Sequence, residues 1–205
     1  YKIITESKNL VLRRKPPGKL LPSAHAVDRE YEVITALYET DVPVPKTYGL
    51  CEDDDIAGTT FFVMDFLDGD LFWDPMIPSV TNKDRTEIYQ NKNKTLAKLH
   101  SVDYKKFGLE DYGKPGNYVA RQVSRWSKQY RASETDNIEA MNNLIGWLPK
   151  NIPDDDETSI VHGDYRLDNM ILKDNHVMGI LDWELSTLGH PIADFSYHCL
   201  SWRNQ

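Results

Sequence analysis

Residues 162–182, HGDYRLDNMILKDNHVMGILD, constrain the fold more than any other stretch of the chain. Two short apolar runs, Asn169 to Lys173 and His176 to Asp182, flank Asp174-Asn175. That pair tolerates the left-handed backbone a tight hairpin turn requires. A hairpin here places Asn169 and Asp182 near each other at its open end, and the loop carrying Asp164 leads directly into that end. Oxygen-bearing side chains from separate pieces of backbone therefore converge on rigid strands.

Hard-oxygen ligands in this arrangement suit Mg²⁺, which is usually held by one or two carboxylates plus substrate phosphates. The Asp-x4-Asn spacing from Asp164 to Asn169 is also that of the kinase catalytic loop, where the Asp accepts a hydroxyl proton and the Asn holds metal. Asp and Asn are common in turns, so the spacing alone says little. His-Gly-Asp before it, an apolar hairpin after it and a second Asp closing that hairpin make the combination specific.

HGDYRLDN, GILDWE and LGHPIADFSY together resemble the aminoglycoside phosphotransferase and choline kinase-like family, small-molecule kinases with a protein-kinase-like fold. Upstream, VLRRKPPGKLLPSAHAVDREYEV, TDVPVPKTYGLCED and FFVMDFLDG resemble the branch that occurs fused to, or alongside, acyl-CoA dehydrogenases. The likeness runs from about residue 9 to residue 200. It implies an α+β, two-lobed fold: a strand-rich N-lobe over 1–67, an interlobe linker over 68–80 and a helix-rich C-lobe over 81–205. It also implies a glycine-rich turn upstream of Tyr1 and further helices after Gln205, so a chain truncated at both ends is expected. The implied activity is ATP-dependent (or GTP-dependent) phosphorylation of a small hydroxylated molecule, with fusion to or association with an acyl-CoA dehydrogenase as the partner relationship.

Composition bounds the alternatives. Hydrophobic residues at 40% and charged residues at 27% are ordinary for a globular protein. No apolar run approaches the ~18 residues of a membrane span, and no signal-peptide pattern opens the chain. Cys51 and Cys199 lack metal-ligand spacing, which favours a reducing, intracellular compartment over a disulfide framework. A net charge of −8 argues against a broad nucleic-acid surface.

Alternation and periodicity predict strands over Tyr1–Thr5 and Asn9–Arg14, a helix over about Ala24–Glu39, and paired strands Lys46–Cys51 and Thr59–Phe66 around a solvated acidic turn at Asp53–Asp55. Pro16-Pro17-Gly18 stops the second strand. Asn82–Val102, Tyr118–Arg131 and Thr135–Leu148 read as helices.

Glu30 is the anomaly of the first lobe. At 100° per residue it lies on the apolar stripe of its helix, where a carboxylate is costly unless paired. Val11 and Arg13 share one face of the preceding strand. Arg13 can therefore reach Glu30 and hold the nucleotide's phosphates, as the strand lysine and helix glutamate do in kinases. Arg14 or Lys15 remain alternative cations. Arginine at a position the family often fills with lysine keeps the charge and adds a planar fork.

Asp164 is assigned to the acceptor hydroxyl, and Asn169 and Asp182 to the metal. Arg166, two residues past Asp164, is assigned to the transferring phosphoryl group, its bland role being to pair with Asp168. By the resemblance, the backbone of Met64, Asp65, Phe66 and Leu67 supplies hydrogen bonds to the purine. Asp194 matches the family's loop-bracing acid, and His162 reads as a structural hydrogen-bonding residue. The five tryptophans read as core or packing residues. Two competing functions stand beside the kinase. One is a catalytically silent kinase-like nucleotide-binding module. The other is a metallohydrolase built from His162, Asp164, Asp182, His190 and Asp194.

Overall fold

The computed structural model describes residues 1–15 and 26–200. Strands β1 (Lys2–Ile4), β2 (Asn9–Arg14), β3 (Thr47–Cys51) and β4 (Phe61–Asp65) form an antiparallel sheet in the order β1-β2-β4-β3. Helix α1 (Val27–Tyr38) lies on it and buries Val27, Glu30, Val33, Ile34 and Leu37, the spacing of one helical face. Phe62 and Met64 of β4, both on the same side of the strand, meet that face in the core. The Pro16-Pro17-Gly18 stop and the first residues expected of the helix lie outside the described residues.

Between β3 and β4 the acidic stretch is a short helix, α2 (Asp54–Ala57), rather than the bare turn expected from its charge. The Asp53 side chain caps it by accepting from the Asp55 amide, and Gly58 ends it at φ +73. The acids thus sit at the helix start, where the macrodipole favours them.

The second half holds α3 (Asn82–His100), α4 (Tyr118–Ser133), α5 (Glu139–Trp147) and α6 (Ile192–Leu200), with β5 (Ser159–Val161) paired to β8 (Thr187–Gly189) and β6 (Met170–Lys173) to β7 (His176–Ile180). A box at the start of α3 holds its first turn: Thr81 Oγ1 accepts from the Asp84 amide and donates to the Asp84 carboxylate. Helix α5 begins at Glu139, four residues later than the spacing predicts. The Asp136-Asn137 stretch before it favours turns over helix interior.

The β6–β7 hairpin is the one read from the sequence. Asp174 (φ 49) and Asn175 (φ 63) supply its left-handed turn. Asn175 also fixes that turn to α3, donating to Asp84 and Glu87 while its carbonyl accepts from Asn91.

Both margins of the hairpin are bonded to the strand-rich N-terminal part and the segment just after it. Ile180 of β7 donates its amide to Pro43 O at 2.9 Å, and Asp70 exchanges two backbone bonds with Leu172 of β6, at 2.7 and 2.8 Å. A Cβ on Gly69 would collide with the Leu172 carbonyl, so that position needs hydrogen in place of a side chain, and Gly179 packs against the tip of the Leu67 side chain. The hairpin is the joint between the two lobes.

Of the tryptophans, Trp183 is fully buried, whereas Trp73 (78% exposed), Trp126 and Trp147 (56% each) are on the surface. Their assignment to the core is corrected on that ground. Trp202 lies outside the described residues. Among the described residues no helix is long and apolar enough to cross a membrane.

Candidate functional site

Strand β5 delivers the chain to His162 and Gly163, and a single carboxylate shapes the loop that follows. Asp194, 1% exposed at the start of α6, accepts from the His162 amide at Oδ2 and the Gly163 amide at Oδ1, both at 2.8 Å. His100 at the end of α3 closes on the same Oδ2 at 3.1 Å. Charge-assisted bonds to two consecutive amides fix the loop's entry direction. Gly163 then turns at φ +84, where a Cβ would sit 2.7 Å from the Leu185 carbonyl. Asp194 therefore braces the loop from a buried position.

His162 is a structural residue. Its Nδ1 accepts from the Asp164 amide at 3.2 Å, which makes Nε2–H the donor to Leu181 O at 3.0 Å. Its ring lies 4.6 Å from that of Trp183. Burial pushes its pKa down, in keeping with a neutral ring. The metallohydrolase set is taken apart by these bonds, because both nitrogens of His162 and both oxygens of Asp194 are spent on the backbone. Among the described residues no cluster of three or more His, Cys, Asp or Glu side chains is arranged to hold a metal.

Asp164 emerges from this loop with its carboxylate oriented from two sides. Asn169 Nδ2 donates to its Oδ2 at 3.0 Å and to its backbone carbonyl at 2.9 Å, and Arg166 Nε meets Oδ1 at 3.0 Å. The other end of the Arg166 guanidinium pairs with Asp168 at 3.1 Å. Arg166 therefore bridges the candidate base and the acid to which its bland reading assigned it. With Nδ2 of Asn169 committed to Asp164, the amide's oxygen is the atom it can offer a cation.

Asp182 follows β7 and adopts φ +63, a conformation few non-glycine residues take. The Leu181 amide bonds to Asn169 O at 2.8 Å, so the two hairpin ends meet as the sequence pattern requires. The carboxylate of Asp182 and the amide oxygen of Asn169 are hard donors from adjacent backbones. One carboxylate with an amide oxygen fits Mg²⁺ bound jointly with phosphates, not a closed all-protein cage.

Arg13 lies between this end and the first lobe. Its Nε meets Glu30 Oε2 at 2.9 Å and its Nη2 meets Asp182 Oδ1 at 3.0 Å, with Glu184 at 3.9 Å. Lys15 instead approaches Asp28, at 3.9 Å. Glu30, its side chain 4% exposed, has its pKa raised by burial. Arg13 and the backbone amide of Trp183 oppose that shift. The Arg13–Glu30 pair was anticipated from the helix stripe; the bond onward to Asp182, 169 residues away, was not.

At the end of β4 the purine-facing assignment narrows. The Asp65 amide donates to Lys46 O at 2.9 Å and the Phe66 amide to Asn9 O at 3.3 Å, so the sheet already uses both. Those two amides are therefore committed within the sheet. The Asp65 side chain accepts from Tyr48 Oη at 2.8 Å. Leu67, the next amide along, lies over Gly179 of the hairpin, where the two lobes join.

Three side chains near Asp164 were not singled out in the sequence. Tyr197 of α6 has its pKa raised by burial and by the nearby Asp164 carboxylate. His100 supports Asp194. Lys92 falls between Tyr89 and Leu96 on the buried face of α3. Its signal was the one that exposed Glu30, a charge on an apolar stripe.

A family model described as the phosphotransferase enzyme family matches residues 1–205. Mouse acyl-CoA dehydrogenase family member 10 is 48% identical over 204 residues, which cover 98% of this chain and 19% of that protein. A crystal structure from Ralstonia eutropha JMP134, described as a candidate aminoglycoside phosphotransferase, is 50% identical with a TM-score of 0.91, over 98% of this chain and 60% of the other. A thermostable aminoglycoside phosphotransferase mutant in ternary complex with ADP and hygromycin B shares the fold at a TM-score of 0.70 and 11% identity, over 98% of this chain and 68% of that one. The chain thus spans about a fifth of the curated relative and under two thirds of the more similar solved structure.

Proposed function

We propose, from the premise that the chain belongs to the phosphotransferase enzyme family, that its site transfers the γ-phosphate of ATP to a hydroxyl group of a small molecule. The observation that carries this reading is the Asp164–Asn169 bond beside Asp182, with Arg13 tying Asp182 to the buried Glu30. A base candidate, a pair of oxygen ligands and a fixed cation lie in one continuous network.

In this reading Asp164 receives and orients the acceptor hydroxyl and takes its proton as the oxygen attacks phosphorus. Asn169 holds that carboxylate from one side and offers its own oxygen, with Asp182, to Mg²⁺. Bound there, Mg²⁺ would neutralise charge on the phosphates. Arg13 has a fork for phosphate oxygens, and Glu30 fixes its direction. Arg166, half-exposed between Asp164 and Asp168, is free to turn toward the transferring group by exchanging one carboxylate for phosphate. Positioning and charge neutralisation carry most of the rate enhancement in such chemistry. The amide of Leu67 is the assigned contact for the purine.

Support for ATP comes from the family and from the ADP held by the structural neighbour. For the acceptor we assign a hydroxylated acyl compound, supported by the likeness to an acyl-CoA dehydrogenase family member. A covalent or physical link to an acyl-CoA dehydrogenase, in an intracellular compartment, belongs to the same proposal.

The test is titration calorimetry of ATP with the full-length protein, with and without Mg²⁺, in wild type and Asp182→Asn. Mg²⁺ is expected to tighten ATP binding in the wild type and to do so far less in the variant. Equal enhancement in both proteins refutes the ligand assignment.

A further inference from the structure

Tyr112, in the loop between α3 and α4, is 1% exposed, and none of the roles above uses it. A buried tyrosine brings a ring for packing and a hydroxyl that needs a partner. The Arg29 guanidinium of α1 lies 4.3 Å from the centre of that ring, and its Nη2 donates to the Tyr112 carbonyl at 2.5 Å. Arg29 is the residue before Glu30. The Tyr112 hydroxyl bonds to the buried Ser186 Oγ, in the turn that follows Asp182. A Cβ on the next residue, Gly113, would sit 2.5 Å from the Leu188 amide nitrogen. Hydrogen at that position lets the Tyr112 loop dock onto the strand after Ser186.

Proton count sets the direction of these bonds. Ser186 spends its hydroxyl proton on the Trp183 carbonyl, which also accepts from the Ser186 amide at 3.0 Å. Its Oγ is left as an acceptor, so Tyr112 is the donor. The Arg29 carbonyl, 3.4 Å from the Tyr112 hydroxyl, is the more distant acceptor. Burial pushes the Tyr112 pKa up to about 12, which keeps the donated proton in place. A chain of bonds thus runs from Tyr112 through Ser186 to Trp183, the neighbour of Asp182. Asp182 sits at φ +63, and backbone of that kind persists where its surroundings hold it. Helix α1 packs against the same turn. Arg13 holds the Asp182 carboxylate, and Tyr112, through Ser186, holds the backbone that carries it.

We propose that Tyr112 is a positioning residue for the metal-side carboxylate: its hydroxyl, acting through Ser186, fixes the turn that presents Asp182, while its ring and carbonyl key that turn to α1 through Arg29. The inference rests on the phosphotransfer reading and adds to it a residue outside both the catalytic loop and the hairpin. Phenylalanine would serve for packing alone, so the hydroxyl is the part with a functional consequence.

The experiment uses the full-length protein and titration calorimetry of ATP, in Mg²⁺ and in EDTA, with wild type, Tyr112→Phe, Ser186→Ala and the double variant. Tyr112→Phe keeps the ring and the carbonyl that Arg29 engages and removes only the hydroxyl. The tightening of ATP binding by Mg²⁺ should fall by about 3- to 10-fold, the worth of one buried hydrogen bond, with affinity in EDTA unchanged. The double variant should match Ser186→Ala, because the two hydroxyls act in one chain. Urea unfolding of the same proteins separates this from a purely structural role, in which stability falls while the Mg²⁺ effect stays at the wild-type value. That outcome in Tyr112→Phe overturns the proposal, as does a Mg²⁺ effect that falls additively in the double variant. Should Tyr112→Phe fail to fold, Ser186→Ala decides by the same comparison. Wild-type ATP binding that ignores Mg²⁺ refutes the metal reading and the Tyr112 assignment with it, whereas a Mg²⁺ effect untouched in the variants removes Tyr112 alone.

Discussion

Replacing Arg13 by Met should expose how the first lobe is held to the metal-side loop. Glu30 is 4% exposed at its side chain and meets Arg13 at 2.9 Å, while Arg13 is 35% exposed and shared with Asp182. Removing one partner of a buried pair costs about 3–5 kcal/mol because the other charge is stranded. Water at the partly exposed Arg13 lowers the expectation to about 3 kcal/mol for Arg13→Met. Glu30→Gln strands a cation that still has Asp182 and solvent, so about 1–2 kcal/mol is expected. The double variant leaves no buried charge and should cost about 2 kcal/mol, a coupling of about 2–3 kcal/mol between the two sites.

The pH dependence has a definite sign. Burial already raises the Glu30 pKa above 4.5, and loss of Arg13 raises it further. A carboxyl group whose folded pKa exceeds its unfolded value favours the folded state below the unfolded value and loses that contribution as pH rises through the folded value. The deficit of Arg13→Met should therefore be small near pH 4 and grow toward neutrality. Urea unfolding of wild type, both single variants and the double variant at several pH values supplies the cycle. Additivity within about 0.5 kcal/mol, or a deficit independent of pH, would refute the pairing argument.

Asp164→Asn keeps the side chain's size and one of the two accepting atoms that Asn169 and Arg166 hold but removes the base, so turnover of an identified acceptor should fall by about 10²–10⁴-fold, with ATP affinity nearly unchanged. Steady-state kinetics alongside calorimetry check this, and turnover surviving within a few-fold removes Asp164 from the role. Gly163→Ala combines a left-handed backbone with a Cβ 2.7 Å from the Leu185 carbonyl; a loss of about 1–3 kcal/mol is expected, read as a lowered midpoint in thermal unfolding.

The hairpin was legible because Asp174-Asn175 is a local turn signal between runs whose apolar pattern is uninterrupted. Glu30 was legible because helical periodicity makes a charge on the core face conspicuous. Lys92 carried the same sign on α3 and was passed over, since its helix has many charges and its neighbours look ordinary. Strands β5 and β8 are three residues each and pair Ser159 with Gly189 and Val161 with Thr187. So short a segment has no room for alternation, and its pairing is dictated by packing around Asp194. The Arg13–Asp182 bond depends on how the lobes are stacked, which no local pattern encodes. Trp126 and Trp147 are exposed, because an aromatic residue type does not by itself fix a buried position.

The backbone bonds from Pro43 and Asp70 to the β6–β7 hairpin bear on how the molecule can move. A chain divided at residues 68–80 would suggest that the first lobe swings as a unit on its linker. The hairpin is fastened to that lobe along β7 and to the linker along β6, while its turn is pinned to α3 through Asn175. It acts as a rivet through both plates, carrying Asn169 at one of its strand ends and Asp182 just past the other. Rotation of the strand-rich part against the hairpin would have to shear those bonds, and the amides of Leu172 and Ile180 should be among the slowest to exchange with solvent.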